Sequence, residues 1–217
     1  QVLGSTNIDA SLSNFSSTSA VEYTVDANTS TGTTISDGLY LHETLVQSGF
    51  TAVRSTSNSF VDIHNSDIVG LGNAMQVTWG GILYASQSDI EVTGSLNTNR
   101  LISTYDQTYV QINDCKLFDH SGGGIQLSGG SAATSTLEFN RNEVRRVDSG
   151  AGANPFIFGD PGTGTEIFGS SFDGNLFCNE NHGGSNIFST INGANLDITG
   201  FNIPGQVNGG VIGACPP

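Results

Sequence analysis

The stretches "YVQINDCKLF" (Tyr109–Phe118) and "TLEFNRNEVRR" (Thr136–Arg146) decide the fold. Each holds two apolar residues two apart, Val110/Ile112 and Leu137/Phe139, then a polar turn, then a further apolar residue. Alternation at a period of two is strand behaviour, with one face turned inward. "FVDIHNSDIVG" (Phe60–Gly70, pair Val61/Ile63) and "NLDITGFNIPG" (Asn195–Gly205, pair Leu196/Ile198) read the same way. Ile90/Val92 in "SDIEVTGSL" belongs with them, Ile167 beside Thr165 is a weaker member, and Ile8 and Ile35 extend the series upstream. The second members form the column Ile8, Ile35, Ile63, Val92, Ile112, Phe139, Ile167, Ile198, with successive spacings of 27, 28, 29, 20, 27, 28 and 31. A mean near 27 over eight units fills the chain, and self-similarity at a fixed period marks a solenoid.

A second row follows the first by about 12 to 20 residues: "GGILYAS" (Gly80–Ser86), "GGGIQLS" (Gly122–Ser128), "NPFIFG" (Asn154–Gly159), "GGSNIFS" (Gly183–Ser189) and "GGVIGA" (Gly209–Ala214). Its glycine pairs mark a recurrent corner, where a chain without a β-carbon bends sharply. Small polar residues form an adjacent turn column of Ser66, Ser95, Cys115, Asn142 and Ser170. The expected unit is a coil of two or three short strands. A β-sandwich, the alternative, places strands every 8–12 residues without this longer period.

In repeat length, strand pattern and corner asparagines, the chain resembles the right-handed parallel β-helix proteins of the pectate-lyase-like superfamily. The resemblance spans most of the chain and is one of architecture, without a catalytic signature. It implies an all-β, single-stranded right-handed parallel β-helix of about eight coils, with residues 1–217 as a single domain. Coils stacked about 4.8 Å apart put Cys115 nearly 10 Å from Cys178, beyond disulfide reach. Cys178 and Cys215 fall in neighbouring coils and form the expected bridge, with three buried thiols as the alternative.

Composition narrows the partners. Net charge is −14 with six basic residues, Lys116 the single lysine. Nucleic acid needs clustered basic residues, anionic membrane surfaces are disfavoured for the same reason, and an acidic polysaccharide is repelled unless a bound cation bridges it. No run of 18 apolar residues supports a membrane span. The chain opens on Gln1, as a secreted chain does after signal removal, or a chain cut at that point. The sequons at Asn14 and Asn28 are glycosylation candidates in a secreted eukaryotic protein.

Enzymes of the superfamily use acidic clusters with a basic residue or histidine nearby. Here no two aspartates are adjacent, and His42, His64, His120 and His182 fall at different offsets of the repeat, hence on different faces. The tripeptide Asp119-His120-Ser121 has triad residue types, but consecutive side chains point apart and cannot meet as a triad. Arg141, Arg145 and Arg146 hold half of the basic residues. Asp114 falls one coil below Arg141, as an acid–base pair or, more in keeping with neighbouring rungs, a surface ion pair. Calcium would draw on Asp160 and Glu166, or on Asp173 and Asn175, although neither pair reaches the six to eight oxygens the ion takes. Of the aromatic residues Trp79, Tyr84, Tyr105 and Tyr109, the first two flank one corner as a sugar-stacking patch, a cap or core.

Three functions remain. The first is an extracellular structural building block, a homo-oligomer or fibre assembled end to end through open strand edges, since the N-terminal stretch reads as strand and loop with no capping helix and the C-terminal "GGVIGACPP" is apolar and uncharged. The second is a carbohydrate-active enzyme or glycan-binding module. The third is a phage-type receptor-binding spike of side-by-side helices, for which an outward apolar stripe is the diagnostic feature.

Overall fold

The computed structural model describes residues 2–3, 8–18, 23–28, 38–96, 98–128, 135–146, 156–159, 166–178, 188–190, 195–197 and 212–213. Within them the chain coils through three parallel sheets of eight strands each, visited in turn, which defines a parallel β-helix of eight coils. Sheet A contains Tyr23–Asn28, Thr51–Thr56, Asn73–Thr78, Arg100–Tyr105 and Ile125–Leu127 in its middle. Sheet B contains Ile8–Ser11, Gly38–His42, Phe60–His64, Ile82–Ser86, Tyr109–Asn113 and Ser135–Asn140. Sheet C contains Asn14–Ser17, Leu45–Ser48, Asp67–Gly70, Asp89–Val92, Lys116–Asp119 and Glu143–Arg146.

Inward residues stack into apolar columns. In sheet B the registered column is Ala10, Leu41, Ile63, Ala85, Ile112, Phe139, and all but Ala10 are buried. Three expected members therefore change place. Ile8 registers with Leu39, in the neighbouring inward column. Val92 lies in sheet C opposite Gly70 and Asp119, and its place is taken by Ala85 from "GGILYAS". Ile167 registers with Ser135 and Leu196. Ile35 and Ile198 lie outside the described residues. The cause is unequal coils. Successive corners are 22 residues apart at Thr44–Ser66 and Ser66–Ser88, 27 at Cys115–Asn142 and 33 at Asn142–Asn175. A uniform period near 27 therefore slips out of phase where the coils are shortest. The glycine-led second row likewise divides: Ile82–Ser86 belongs to sheet B, Ile125–Leu127, Ile157–Gly159 and Phe188–Thr190 to sheet A, and Ile212–Gly213 to sheet C.

The corner from sheet B to sheet C is built from one left-handed residue per coil. Leu12, Glu43, Asn65, Gln87, Asp114 and Arg141 have φ between 48° and 56°, and Gly174 follows at 65°. This conformation disfavours side-chain-bearing residues, and two sets of hydrogen bonds hold it. Each corner N–H from Leu12 to Asp114 donates to the carbonyl of the last strand residue one coil on, as Glu43 does to His64 at 3.1 Å. The following residue then joins a side-chain ladder. The N–H of Thr44 donates to Ser66 Oγ, that of Ser66 to Ser88 Oγ, that of Cys115 to Asn142 Oδ1 and that of Asn142 to Asn175 Oδ1, at 2.9–3.1 Å. Ser66, Cys115 and Asn142 stand in this ladder as expected, whereas Ser88 and Asn175 occupy the places read for Ser95 and Ser170.

Candidate functional site

The outer face of sheet A carries a row of polar side chains in register, Asp26, Arg54, Gln76, Ser103 and Gln126. Tyr23, Trp79 and Tyr105 border it, enclosing a groove of about 570 Å³. Trp79 sits at the corner from sheet A to sheet B, where two successive residues are left-handed in three coils: Ser57–Asn58, Trp79–Gly80 and Asp106–Gln107. At φ 47° the Trp79 backbone is strained. The corner is held by its N–H, which donates to Tyr105 O at 2.9 Å, and by Gly80 N–H donating to Asp106 O at 3.1 Å. The indole is 56% exposed, and Tyr105, 44% exposed, meets it edge-on with centroids 6.3 Å apart.

Across the groove, Arg54 donates from Nε and Nη2 to the two carboxylate oxygens of Asp26 at 2.7 and 2.6 Å. Its guanidinium lies 3.8 Å from the Tyr23 ring centroid. Burial works against the charge, but the Asp26 carboxylate outweighs it and raises the Arg54 pKa. The groove thus offers two exposed rings and fixed amide, hydroxyl and guanidinium groups. Asp26, held by Arg54, is the one carboxylic acid of this row, and the other described residues lining the groove add none.

The sequence candidates mostly fall elsewhere. Asp114 and Arg141 occupy consecutive coils of the left-handed corner and form a two-point ion pair, Nε to Oδ1 at 2.8 Å and Nη2 to Oδ2 at 2.7 Å. The Arg141 hydrogen bonds hold the Asp114 carboxyl below its ordinary range. Both side chains are largely exposed on the outside of the coil, away from the groove. Asn175 is a ladder residue, donating to Phe139 O at 2.7 Å, which removes it from the calcium candidates. Asp160 lies outside the described residues, as do the side chains of Glu166 and Asp173, and the described residues hold no cluster fit for a metal ion. His42 and His64, expected on different faces, register in sheet B with rings 5.8 Å apart. His120 Nε2 lies 2.9 Å from Glu91, and His182 falls outside the described residues.

Asp119, His120 and Ser121 do not form a triad. Asp119 is fully buried and organises the glycine run that follows. Its carboxylate accepts from Ser121 N–H at 3.0 Å, Ser121 Oγ at 2.7 Å and Gly124 N–H at 3.0 Å. A β-carbon at Gly123 would run into Asn99 O and one at Gly124, at φ 60°, into Phe156 O, so this close passage admits only glycine.

Cys115 is a free thiol at a buried ladder position, and burial pushes its pKa up to about 12. The backbone of Cys178 pairs with Gly213 in the next coil, while Cys215 lies outside the described residues, as does the bridge expected between them. Asn14 is exposed at the start of a sheet C strand, and Asn28 ends a sheet A strand with its Oδ1 buried and without a hydrogen bond among the described residues.

Trp79 and Tyr84 flank one corner in the sequence. The structure pairs Trp79 with Tyr105 and turns Tyr84 out from sheet B, next to Phe60 and Tyr109. Trp79 and Tyr105 are 26 residues apart in consecutive coils, and only correct phasing brings them together. The fold and this groove define an all-β solenoid with an aromatic-rimmed sheet face. No family model matches the chain, and no curated protein or solved structure matches it either.

Proposed function

We propose that the protein is a secreted glycan-binding module of the right-handed, pectate-lyase-like β-helix type, holding a neutral polysaccharide chain in the sheet A groove. Trp79 carries this reading: an exposed indole on a strained left-handed corner, facing an exposed tyrosine over a row of amides and hydroxyls. Rings with a few convergent polar groups suit sugar, whose C–H faces stack and whose hydroxyls bond. Among the described residues of the row and its lining, Asp26 is the single carboxylic acid and is held by Arg54, which favours holding over cleavage, because glycoside hydrolysis uses a pair of acids. A net charge of −14 favours a neutral polymer.

Trp79 is the chain's one tryptophan, so its fluorescence reports this groove alone. Titration with a panel of neutral oligosaccharides is expected to shift the emission. Trp79→Gly is expected to weaken binding by about 30-fold, the loss of about 2 kcal/mol typical of a buried tryptophan anchor. Its melting temperature should stay level or rise, since glycine relieves the left-handed strain. An emission unmoved by every sugar, or a Trp79→Gly protein that binds as the parent does, rejects the reading.

The first coil favours a second reading, end-to-end assembly into a fibre. Among the described residues, Ile8–Ser11 and Asn14–Ser17 pair on one side only, and Ala10, Phe15 and Val25 are only partly buried against the core. Open strand edges pair with further strands, and a head-to-tail contact that does not close grows into a filament. Negative-stain electron microscopy over a concentration series should then show filaments with an axial repeat of about 40 Å, eight coils at about 4.8 Å each. Discrete particles at every concentration count against assembly.

A further inference from the structure

We propose that the outer face of sheet B is a second binding platform, built for an extended, neutral β-1,4-linked polysaccharide lying along the solenoid axis. It is separate from the sheet A groove and does not depend on it.

The face is defined by strand register. Its central outward row runs Asp9, Tyr40, Asp62, Tyr84, Gln111, Glu138. Beside it Phe60, Ile82 and Tyr109 are in register. Rings thus recur every second coil in each row, and the rows are staggered by one coil. The four rings meet edge to face, with centroids 5.7 Å apart for Tyr40–Phe60, 5.1 Å for Phe60–Tyr84 and 5.7 Å for Tyr84–Tyr109. All four are half-buried, so they form a supported surface.

Two observations name the ligand. The first is spacing. Two coils are about 9.6 Å, twice the strand separation, which is close to the disaccharide repeat of an extended, twofold β-1,4-linked chain. Such a chain presents the same sugar face to Tyr40 and to Tyr84. The second is charge. Between Tyr40 and Tyr84 the row supplies Asp62, and in the two coils beyond Tyr84 it supplies Gln111 and Glu138; their side-chain oxygens accept hydrogen bonds from hydroxyls. Glu138 Oε2 already takes one from Gln111 Nε2 at 3.1 Å. Among the described residues this outward face contains no lysine or arginine, so an acidic polymer is repelled. A second copy laid face to face would set carboxylate rows against each other. A neutral polyol with flat C–H faces satisfies both the rings and the acids.

The test uses cellohexaose and the full chain. Calorimetry should give two sites per chain, while the Trp79 emission follows one of them. Trp79→Gly should remove the fluorescent site and leave one. Tyr84→Ala should weaken the other at least tenfold with the tryptophan response unchanged, and Tyr84→Phe, which keeps the ring, should restore it. Tyr40→Ala, two coils away, repeats the test if Tyr84→Ala fails to fold. A single site abolished by Trp79→Gly, or affinity untouched by loss of Tyr84 or Tyr40, overturns the platform and leaves the sheet A reading standing. A silent tryptophan beside a Tyr84-dependent site does the reverse. No heat with cellohexaose overturns the platform. A native dimer in sedimentation that Tyr84→Ala splits also overturns it, and makes the face an interface between copies.

Discussion

Replacing Asp119 by alanine is expected to lower the unfolding free energy by about 2–5 kcal/mol, the cost of leaving two backbone donors buried without their acceptor. The carboxylate is fully buried and accepts three hydrogen bonds from the turn that carries the chain from sheet C into sheet A. Removing it strands the N–H groups of Ser121 and Gly124, each worth about 1–3 kcal/mol when left buried and unbonded. No neighbouring backbone can move in to replace it, because Gly123 and Gly124 already pass against the carbonyls of Asn99 and Phe156. Asp119→Asn keeps the shape but faces N–H donors with one amide that also donates, so an intermediate loss is expected. Urea unfolding followed by circular dichroism measures both. A loss under about 1 kcal/mol for alanine would mean that the turn does not depend on the carboxylate.

Phe139→Ala is expected to cost about 3–5 kcal/mol, the range for deleting a large buried ring. Phe139 is 0% exposed, lies in the sheet B column above Ile112 and packs edge-on against Phe156 with centroids 6.0 Å apart. The solenoid gives this loss a particular form. Each coil touches only its neighbours, so the coils beyond a cavity uncouple from those before it. The expected urea transition is therefore broadened or split into two steps, with the steep part retained by the coils from Leu41 to Ile112. Ile112→Val, one coil away, is the conservative control and should cost about 0.5–1.5 kcal/mol with a single transition. An unbroadened transition in Phe139→Ala would show that all the coils unfold as one unit.

These two residues also show how differently sequence speaks of core and of site. Phe139 was legible: it alternates with Leu137, repeats Ile112 at 27 residues and needs only the strand period to be placed inward. Asp119 was not, since its neighbours His120 and Ser121 suggested chemistry, while its partners are backbone groups that no sequence displays. The corner held a stronger signal than the apolar column did. His64-Asn65-Ser66, Ser86-Gln87-Ser88 and Asn140-Arg141-Asn142 each end a strand, turn left-handed and supply a ladder residue. Phasing on those tripeptides places Ser88 correctly and brings Ala85 into the column where Val92 had been read. The Asp114–Arg141 pair was visible because both residues occupy the left-handed place of that same tripeptide in neighbouring coils.

By itself the sequence determined the class of fold. Period-two apolar pairs recurring along the whole chain have one economical burial, a stack of coils whose inward faces meet, and a net charge of −14 disfavours polyanionic partners. Only the tertiary structure decided which coil each strand enters, because coils of 22, 27 and 33 residues share a cross-section and differ only in their connections. The outward faces follow from that phasing. Trp79 beside Tyr105, and the ladder of Tyr40, Phe60, Tyr84 and Tyr109, join residues from successive coils whose neighbourhood depends on register. Inward positions are set by a hydrophobic pattern that each strand carries locally. Outward surfaces are set by stacking, a relation between coils that no single coil encodes.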